Sequence, residues 1–153
     1  MSVKQDRPRF FTVEEANRTL PLVRRIVQDI VHTHGHLQPR IQELQQLTAD
    51  ARTPPARALV MRREIEAEGK RIDEFVAELQ QLGCVFKGFD LGLVDFYTLY
   101  GGRPVFLCWK LGEERVEHWH DLESGYTGRQ PLTPAMEEEI RKALRPRRAP
   151  VRP

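Results

Sequence analysis

The sequence predicts an α+β fold: a long, coiled-coil-like antiparallel helical hairpin packed with a three-stranded antiparallel β-meander and closed by a short C-terminal helix. Three observations predict it. Residues 20–82 carry two apolar stripes spaced by threes and fours, separated by one proline-containing turn. Between residues 93 and 120 the pattern changes to short β-rich runs joined by glycine turns. Thr133-Pro134 then restarts a helical pattern.

The chain of 153 residues, 40% hydrophobic and 30% charged, has the length and balance of one globular domain, placed at residues 1–140 with a basic tail at 145–153. No apolar run approaches the roughly 18 residues of a membrane helix, and MSVKQDRPRFF lacks the apolar core of a signal peptide. No membrane partner and a cytoplasmic location are therefore expected. Two cysteines, Cys84 and Cys108, without CxxC spacing imply reduced thiols. The net charge of +2 hides an asymmetry: the last thirteen residues hold six basic side chains and no acidic ones, leaving the body at +2 − 6 = −4. An acidic body does not suit a nucleic-acid surface, so any such contact would fall to the tail, read here as a disordered solubilising end.

The helical hairpin is placed at about 13–83. Thr12 and Glu15 form a capping-box pattern that starts a helix at Val13. Pro21 lacks a backbone N–H, which predicts a break or kink near Thr19 and Leu20 with Pro21 as the first residue of the next helix, and Pro39 predicts a bend. The first stripe runs Leu20, Val23, Val27, Ile30, His34, Leu37, Ile41 and Leu44; the second runs Ala58, Met61, Ile65, Glu68, Ile72, Phe75, Leu79 and Leu82. Gly83 caps its end. Antiparallel alignment sets His34 near Glu68 and Gly35 near Gly69, which predicts a buried polar pair fixing helix register where the helices approach closely.

The meander and its loop are placed at about 84–132. Cys84–Phe89 reads as linker or strand, Leu93–Tyr97 as a first meander strand, Pro104–Lys110 as the clearest strand, and Arg115–His120 as a third, with Gly112-Glu113 as a two-residue hairpin tip. That tip sets Trp109 opposite Val116, Leu107 opposite His118 and Val105 opposite His120. The glycine pair Gly101-Gly102 sets Asp95 opposite Cys108. Register then assigns faces: His118 and His120 end an apolar core face with Trp109, while Asp95, Cys108, Glu117 and Trp119 share the other. A bulge would shift part of this. Residues 121–131 form an ordered loop, and a short helix at about 134–144 starts at the N-cap Thr133.

The candidate chemistry lies in this second half. His118 and His120, two imidazoles on one side of a strand, are weak candidates for metal ligands, with Glu113, Glu117 or Asp95 as further donors. No cofactor is predicted; a transition metal is the exception this pair would allow. His120, Glu113 and Asp121 are the candidates for catalysis by general acid–base chemistry. Arg103 and Arg129 sit beside glycines, where a guanidinium could hold a carboxylate or phosphate; alternatively they pair with Asp95, Asp121 or Glu113 to pin loops. Trp119, exposed by this register, would mark a ligand or partner surface together with His120. Cys108, flanked by acids, is read as a packed thiol rather than a nucleophile.

The segments FTVEEANRTLP, GLVDF, GRPVFLCWKLGEE, WHDLESGY and GRQPL occur in an order that resembles an uncharacterised prokaryotic family, domain of unknown function 2203, over about residues 10–133. The residues that match its pattern include Asp95, Arg103, Cys108, Glu113, His120 and Arg129. Tyr97 stands where the pattern has proline, and His118 lies outside it. The resemblance implies no activity. The function expected from the residues is a non-enzymatic, dimeric binding or scaffolding protein, joined through its helices, that holds an unidentified protein or small anion on the sheet and the 125–131 loop. The alternative is a small metal-dependent or acid–base enzyme centred on His120.

Overall fold

The computed structural model describes residues 8–145. Two helices, α1 (Val13–Ala49) and α2 (Pro55–Gln81), form the hairpin. A five-stranded antiparallel sheet follows, β1 (Cys84–Gly88), β2 (Leu93–Tyr100), β3 (Arg103–Lys110), β4 (His118–His120) and β5 (Gln130–Pro131), in sequential order. Helix α3 (Pro134–Ala143) closes the chain. Among the described residues no helix is long and apolar enough to cross a membrane. The predicted tail beyond Arg145 lies outside the described residues.

The helix caps follow the sequence closely. Thr12 Oγ1 accepts from the Glu15 N–H at 3.0 Å while the Glu15 carboxylate accepts from the Thr12 N–H, so two orphan donors of the first turn are satisfied reciprocally. Gly83 adopts φ +93° after α2, and Thr133 Oγ1 accepts from the Met136 N–H to start α3.

The break expected at Pro21 does not occur: α1 is one helix of 37 residues that runs through both Pro21 and Pro39. The reason is packing. A proline inside a helix costs about 3 kcal/mol, but burying each of Leu20, Val23, Val27 and Ile30 against the core contributes about 1.5–3 kcal/mol. All four are buried, so the continuous helix wins. Thr19 Oγ1 donates to the Ala16 carbonyl at 2.7 Å and Asn17 Nδ2 to the Val13 carbonyl at 3.0 Å, extra bonds in the turn that meets the proline ring.

The expected His34–Glu68 pair is replaced by other partners. His34 stacks on Phe89 with ring centroids 4.8 Å apart and lies 3.2 Å from the Gln38 amide, whereas Glu68 is 3.9 Å from the Arg40 guanidinium. Arg40 also pairs with Glu64. The hairpin register is therefore marked by a charged arginine at its edge. A Cβ built on Gly35 or Gly69 would meet nothing within 4 Å, so no close helix approach occurs there.

The sheet has two strands more than the three predicted. β1 pairs with β2, and the two residues of β5 pair with β4 inside what the sequence presents as loop. The β2–β3 register, Asp95 opposite Cys108, is as the glycine turn predicts. The β3–β4 register is not. Leu107 faces Trp119 and Phe106 faces His120, one residue away from the predicted pairing.

The cause is the turn after β3. Gly112 takes φ +103°, the Glu113 N–H donates to the Lys110 carbonyl, and the Glu113 side chain turns back to accept from the Lys110 N–H at 2.7 Å. Trp109 Nε1 donates to the Glu113 carbonyl at 3.0 Å. The chain then leaves the sheet to reach α1, where the Val116 N–H donates to Asn17 Oδ1 at 2.8 Å and the Val116 side chain enters the core. Residues 111–117 are thus a connection anchored on α1, and β4 begins only at His118. A one-residue slip exchanges the faces. His118 and His120 move to the side of Asp95 and Cys108, and Trp119 moves to the core side, half-buried and packed on Tyr100 with ring centroids 5.5 Å apart.

The core lies between the helices and the other sheet face, where Phe11, Phe96, Leu107 and Trp109 meet the α1 stripe, Leu79 of α2 and Met136 and Ile140 of α3. Gly92 sets the spacing of α1 over the sheet. Its φ is +65°, and a Cβ there would lie 2.8 Å from Leu111 Cβ and 2.9 Å from Val27 Cγ1. The left-handed backbone and the overlap act together, so Gly92→Ala is expected to lower stability by about 2–3 kcal/mol, read as a fall in the urea midpoint. A change under about 0.5 kcal/mol would refute this account of the contact.

Candidate functional site

Three adjacent strands bring Asp95, Cys108 and His120 together on the sheet face turned away from the helices. Asp95 and Cys108 are directly opposite across β2 and β3, and His120 reaches in diagonally from β4. All three are buried, at 3%, 1% and 2% exposure. His120 Nε2 lies 3.1 Å from both Asp95 carboxylate oxygens, and Nδ1 lies 2.7 Å from the Asp121 carbonyl. Phe106 screens the pair from one side, its ring 5.5 Å from the imidazole.

A second layer of charge lies over this cluster. Arg129 makes a two-point contact with Glu113, at 2.9 and 2.8 Å, and its guanidinium sits 4.8 Å from the Tyr126 ring centroid. Lys110 Nζ reaches the Tyr126 hydroxyl at 3.4 Å. His118 Nδ1 is 3.5 Å from Glu113 Oε2. Arg103 pairs with the Asp121 carboxylate at 2.6 Å, which fixes the residue whose carbonyl holds His120. Gly125, at φ +62°, lets the 121–129 loop turn back so that Arg129 can reach Glu113.

Burial dominates the electrostatics. It pushes the Asp95 carboxyl above its usual range, against the opposing influence of His120, Cys108 and Lys87. It also pushes the Cys108 thiol up to about 12; the nearby Asp95 charge adds to this, and Arg129 works against both. Burial acts upward on Glu113 too, but there the Arg129 and Lys110 N–H bonds outweigh it and hold the carboxyl below its usual value. Cys84, at the other end of the sheet, is likewise pushed by burial to about 12.

These shifts bear on reactivity. A thiol titrating near 12 is a poor nucleophile at neutral pH. Both cysteines are therefore expected to be silent towards a thiol-reactive disulfide reagent in the native state and to react together, two per chain, on unfolding. A native thiol labelled within minutes would contradict the buried placement.

The proton arithmetic of His120 is equally restrictive. Each ring nitrogen faces an oxygen acceptor, so a neutral imidazole that donates from Nδ1 to Asp121 turns its Nε2 lone pair onto a carboxylate. Either a proton is shared by Asp95 and His120 or a cation occupies the gap.

The residues singled out from sequence fall into two groups. His120, Glu113, Arg129 and His118 meet in one place; Asp121 and Arg103 meet at its rim, with Asp121 holding His120 through its carbonyl. Arg103 and Arg129 take the loop-pinning alternative, each with its guanidinium against a carboxylate of the same chain. Trp119 packs towards the core and is not the exposed marker that the expected register made it. Glu117, expected opposite Cys108, gives that place to His118. The expected register set His120 on the face opposite to Asp95 and Cys108, and the observed one brings it beside both. The signal was present: a histidine on an otherwise apolar face is an anomaly that a register slip removes.

The segments that build this site are those by which the sequence resembles a family. No curated protein and no solved structure matches the chain. The family model described as "Uncharacterized conserved protein (DUF2203)" matches residues 9–132, which include both layers of the site and all of the hairpin, and the chain belongs to that family.

Proposed function

We propose that the protein is a non-enzymatic scaffold that forms a homodimer through the distal half of its helical hairpin and leaves the sheet end free for a partner. The observation that supports this reading is the distribution of burial along the hairpin. Every fully buried residue of α1 lies between Val13 and Leu37, and those of α2 are Ile72 and Leu79. Beyond them, Ile41 and Ile65 are only partly buried, and Leu59 and Val60 stand 46% and 58% exposed. Two helices of about 55 and 40 Å, at 1.5 Å per residue, extend past the sheet with an apolar stripe that one chain does not cover. A second copy, antiparallel to the first, would supply the missing two helices of a bundle.

The acid–base alternative centred on His120 draws less support. Both ring nitrogens are engaged and the group is buried, which leaves no face for a substrate. The anion-binding form of the scaffold reading is weakened for a related reason, since Arg103 and Arg129 already hold carboxylates. Sedimentation at micromolar concentration tests the proposal: a dimer is expected for the wild type and a folded monomer for Leu59→Lys/Val60→Lys. A wild-type monomer would overturn it.

A further inference from the structure

We propose that Asp95, Cys108 and His120 form a binding site for one divalent transition-metal ion of the zinc class, held by a carboxylate oxygen, a thiolate sulfur and imidazole Nε2. One donor atom from each residue lies within 4.8 Å of the other two. Zinc binds nitrogen and oxygen at about 2.0–2.1 Å and sulfur at about 2.3 Å, so tetrahedral ligands stand about 3.3–3.6 Å apart. The Nε2–carboxylate separation of 3.1 Å is already close to that value. Small rotations of the Asp95 and Cys108 side chains would complete the set.

The orientation of His120 is the second argument. Ligating histidines donate their remaining N–H to a carbonyl or carboxylate, which fixes the tautomer and aims the free lone pair at the metal. His120 does this through Nδ1 and the Asp121 carbonyl, and Nε2 points into the cluster. That leaves a lone pair, a carboxylate and a sulfur converging on one buried point, where the Cys108 thiol bonds to Asp95 and Arg129 reaches the sulfur from the layer above. A mixed N, O, S donor set matches a borderline ion such as zinc or cobalt rather than magnesium or calcium.

The charges balance. Before binding, the cluster holds one proton shared by Asp95 and His120 and a Cys108 thiol, net zero. After it, a 2+ ion faces a carboxylate, a thiolate and a neutral imidazole, again net zero, and two protons have left, the thiol's and the shared one. The Arg129–Glu113 pair above remains neutral as a unit. Three protein donors leave a tetrahedral ion one position for water or a small anion. Binding would tie β2, β3 and β4 through their side chains, so the ion's affinity would appear as folding stability.

The test uses the full-length, untagged chain, unfolded in urea with a chelator, then refolded with or without one equivalent of cobalt(II). This route bypasses the buried access path. Thiolate-to-cobalt charge transfer in the near ultraviolet, intense visible bands of a tetrahedral ion and a raised melting temperature are expected in the wild type. Cys84→Ser should keep all three; Cys108→Ser should lose the charge transfer; Asp95→Asn should bind at least about tenfold more weakly. A wild type that refolds with neither the bands nor the shift overturns the proposal and leaves a proton shared by Asp95 and His120. Charge transfer that survives in Cys108→Ser also overturns it. If Cys108→Ser does not fold, Cys84→Ser decides alone, because Cys108 is then the chain's one remaining thiol.

Discussion

Asp95→Ala is expected to lower folding stability by about 3–5 kcal/mol, the loss that follows when one partner of a buried ion pair is removed. Asp95 is buried, and its carboxylate faces His120 Nε2 at 3.1 Å while Cys108 lies directly opposite on β3. Without the carboxyl group, His120 Nε2 is left buried without its partner. His120→Ala is expected to cost a similar amount, because a carboxylate is then left buried with no counterion. Asp95→Ala/His120→Ala separates the penalty of a broken pair from the net worth of an intact one: removing both partners is expected to cost well under the sum of the singles. Urea denaturation of the four proteins provides the cycle. Additive losses would show that the two residues are not coupled and would dismantle the description of the site.

Trp109→Ala is expected to cost about 3–5 kcal/mol, the range for emptying the space of a fully buried aromatic. The ring lies in the core beneath α1, with the Arg24 guanidinium 6.0 Å from its centroid, and its Nε1 donates to the Glu113 carbonyl. The loss should reach beyond the cavity. Glu113 holds both Lys110 and Arg129, so loosening its backbone slackens the turn that sets the β3–β4 register. Trp109→Phe keeps most of the burial and discards the hydrogen bond, and is expected to cost about 1–3 kcal/mol. If the two substitutions cost the same, the indole N–H rather than the packing controls this turn.

The helices, their caps and the β2–β3 pairing were legible because local signals and tertiary packing agree there. Thr12, Gly83 and Thr133 satisfy backbone groups in their own turns, and a glycine-pair turn fixes register without help from distant residues. Pro21 misled because its cost is local and visible in the sequence, while the burial of Leu20, Val23, Val27 and Ile30 that outweighs it depends on the sheet. The β3–β4 connection failed for a similar reason. Gly112-Glu113 has the residues of a tight hairpin, but Glu113 bonds backward to Lys110 and sideways to Arg129, and Asn17 of α1 captures Val116 from across the fold. Pro131 and Gln130 form too short a strand for any periodicity to register. The site was half legible: the Asp95–Cys108 row followed from the glycine turn, and His120 could join it only once the slip was known.

Both tryptophans belong to the sheet, and the described length of hairpin beyond Leu37 and before Ile72 contains neither. Optical probes will therefore report on different parts of one molecule. Indole fluorescence follows the sheet and the packed roots of the helices, whereas helical dichroism is weighted towards the hairpin, much of it outlying. In an isolated chain the outlying turns, with few buried side chains to hold them, are expected to melt first, so that the dichroism transition precedes the fluorescence transition. If the two curves coincide, the hairpin and the sheet unfold as one cooperative unit. If they coincide only at high protein concentration, association supplies the missing cooperativity.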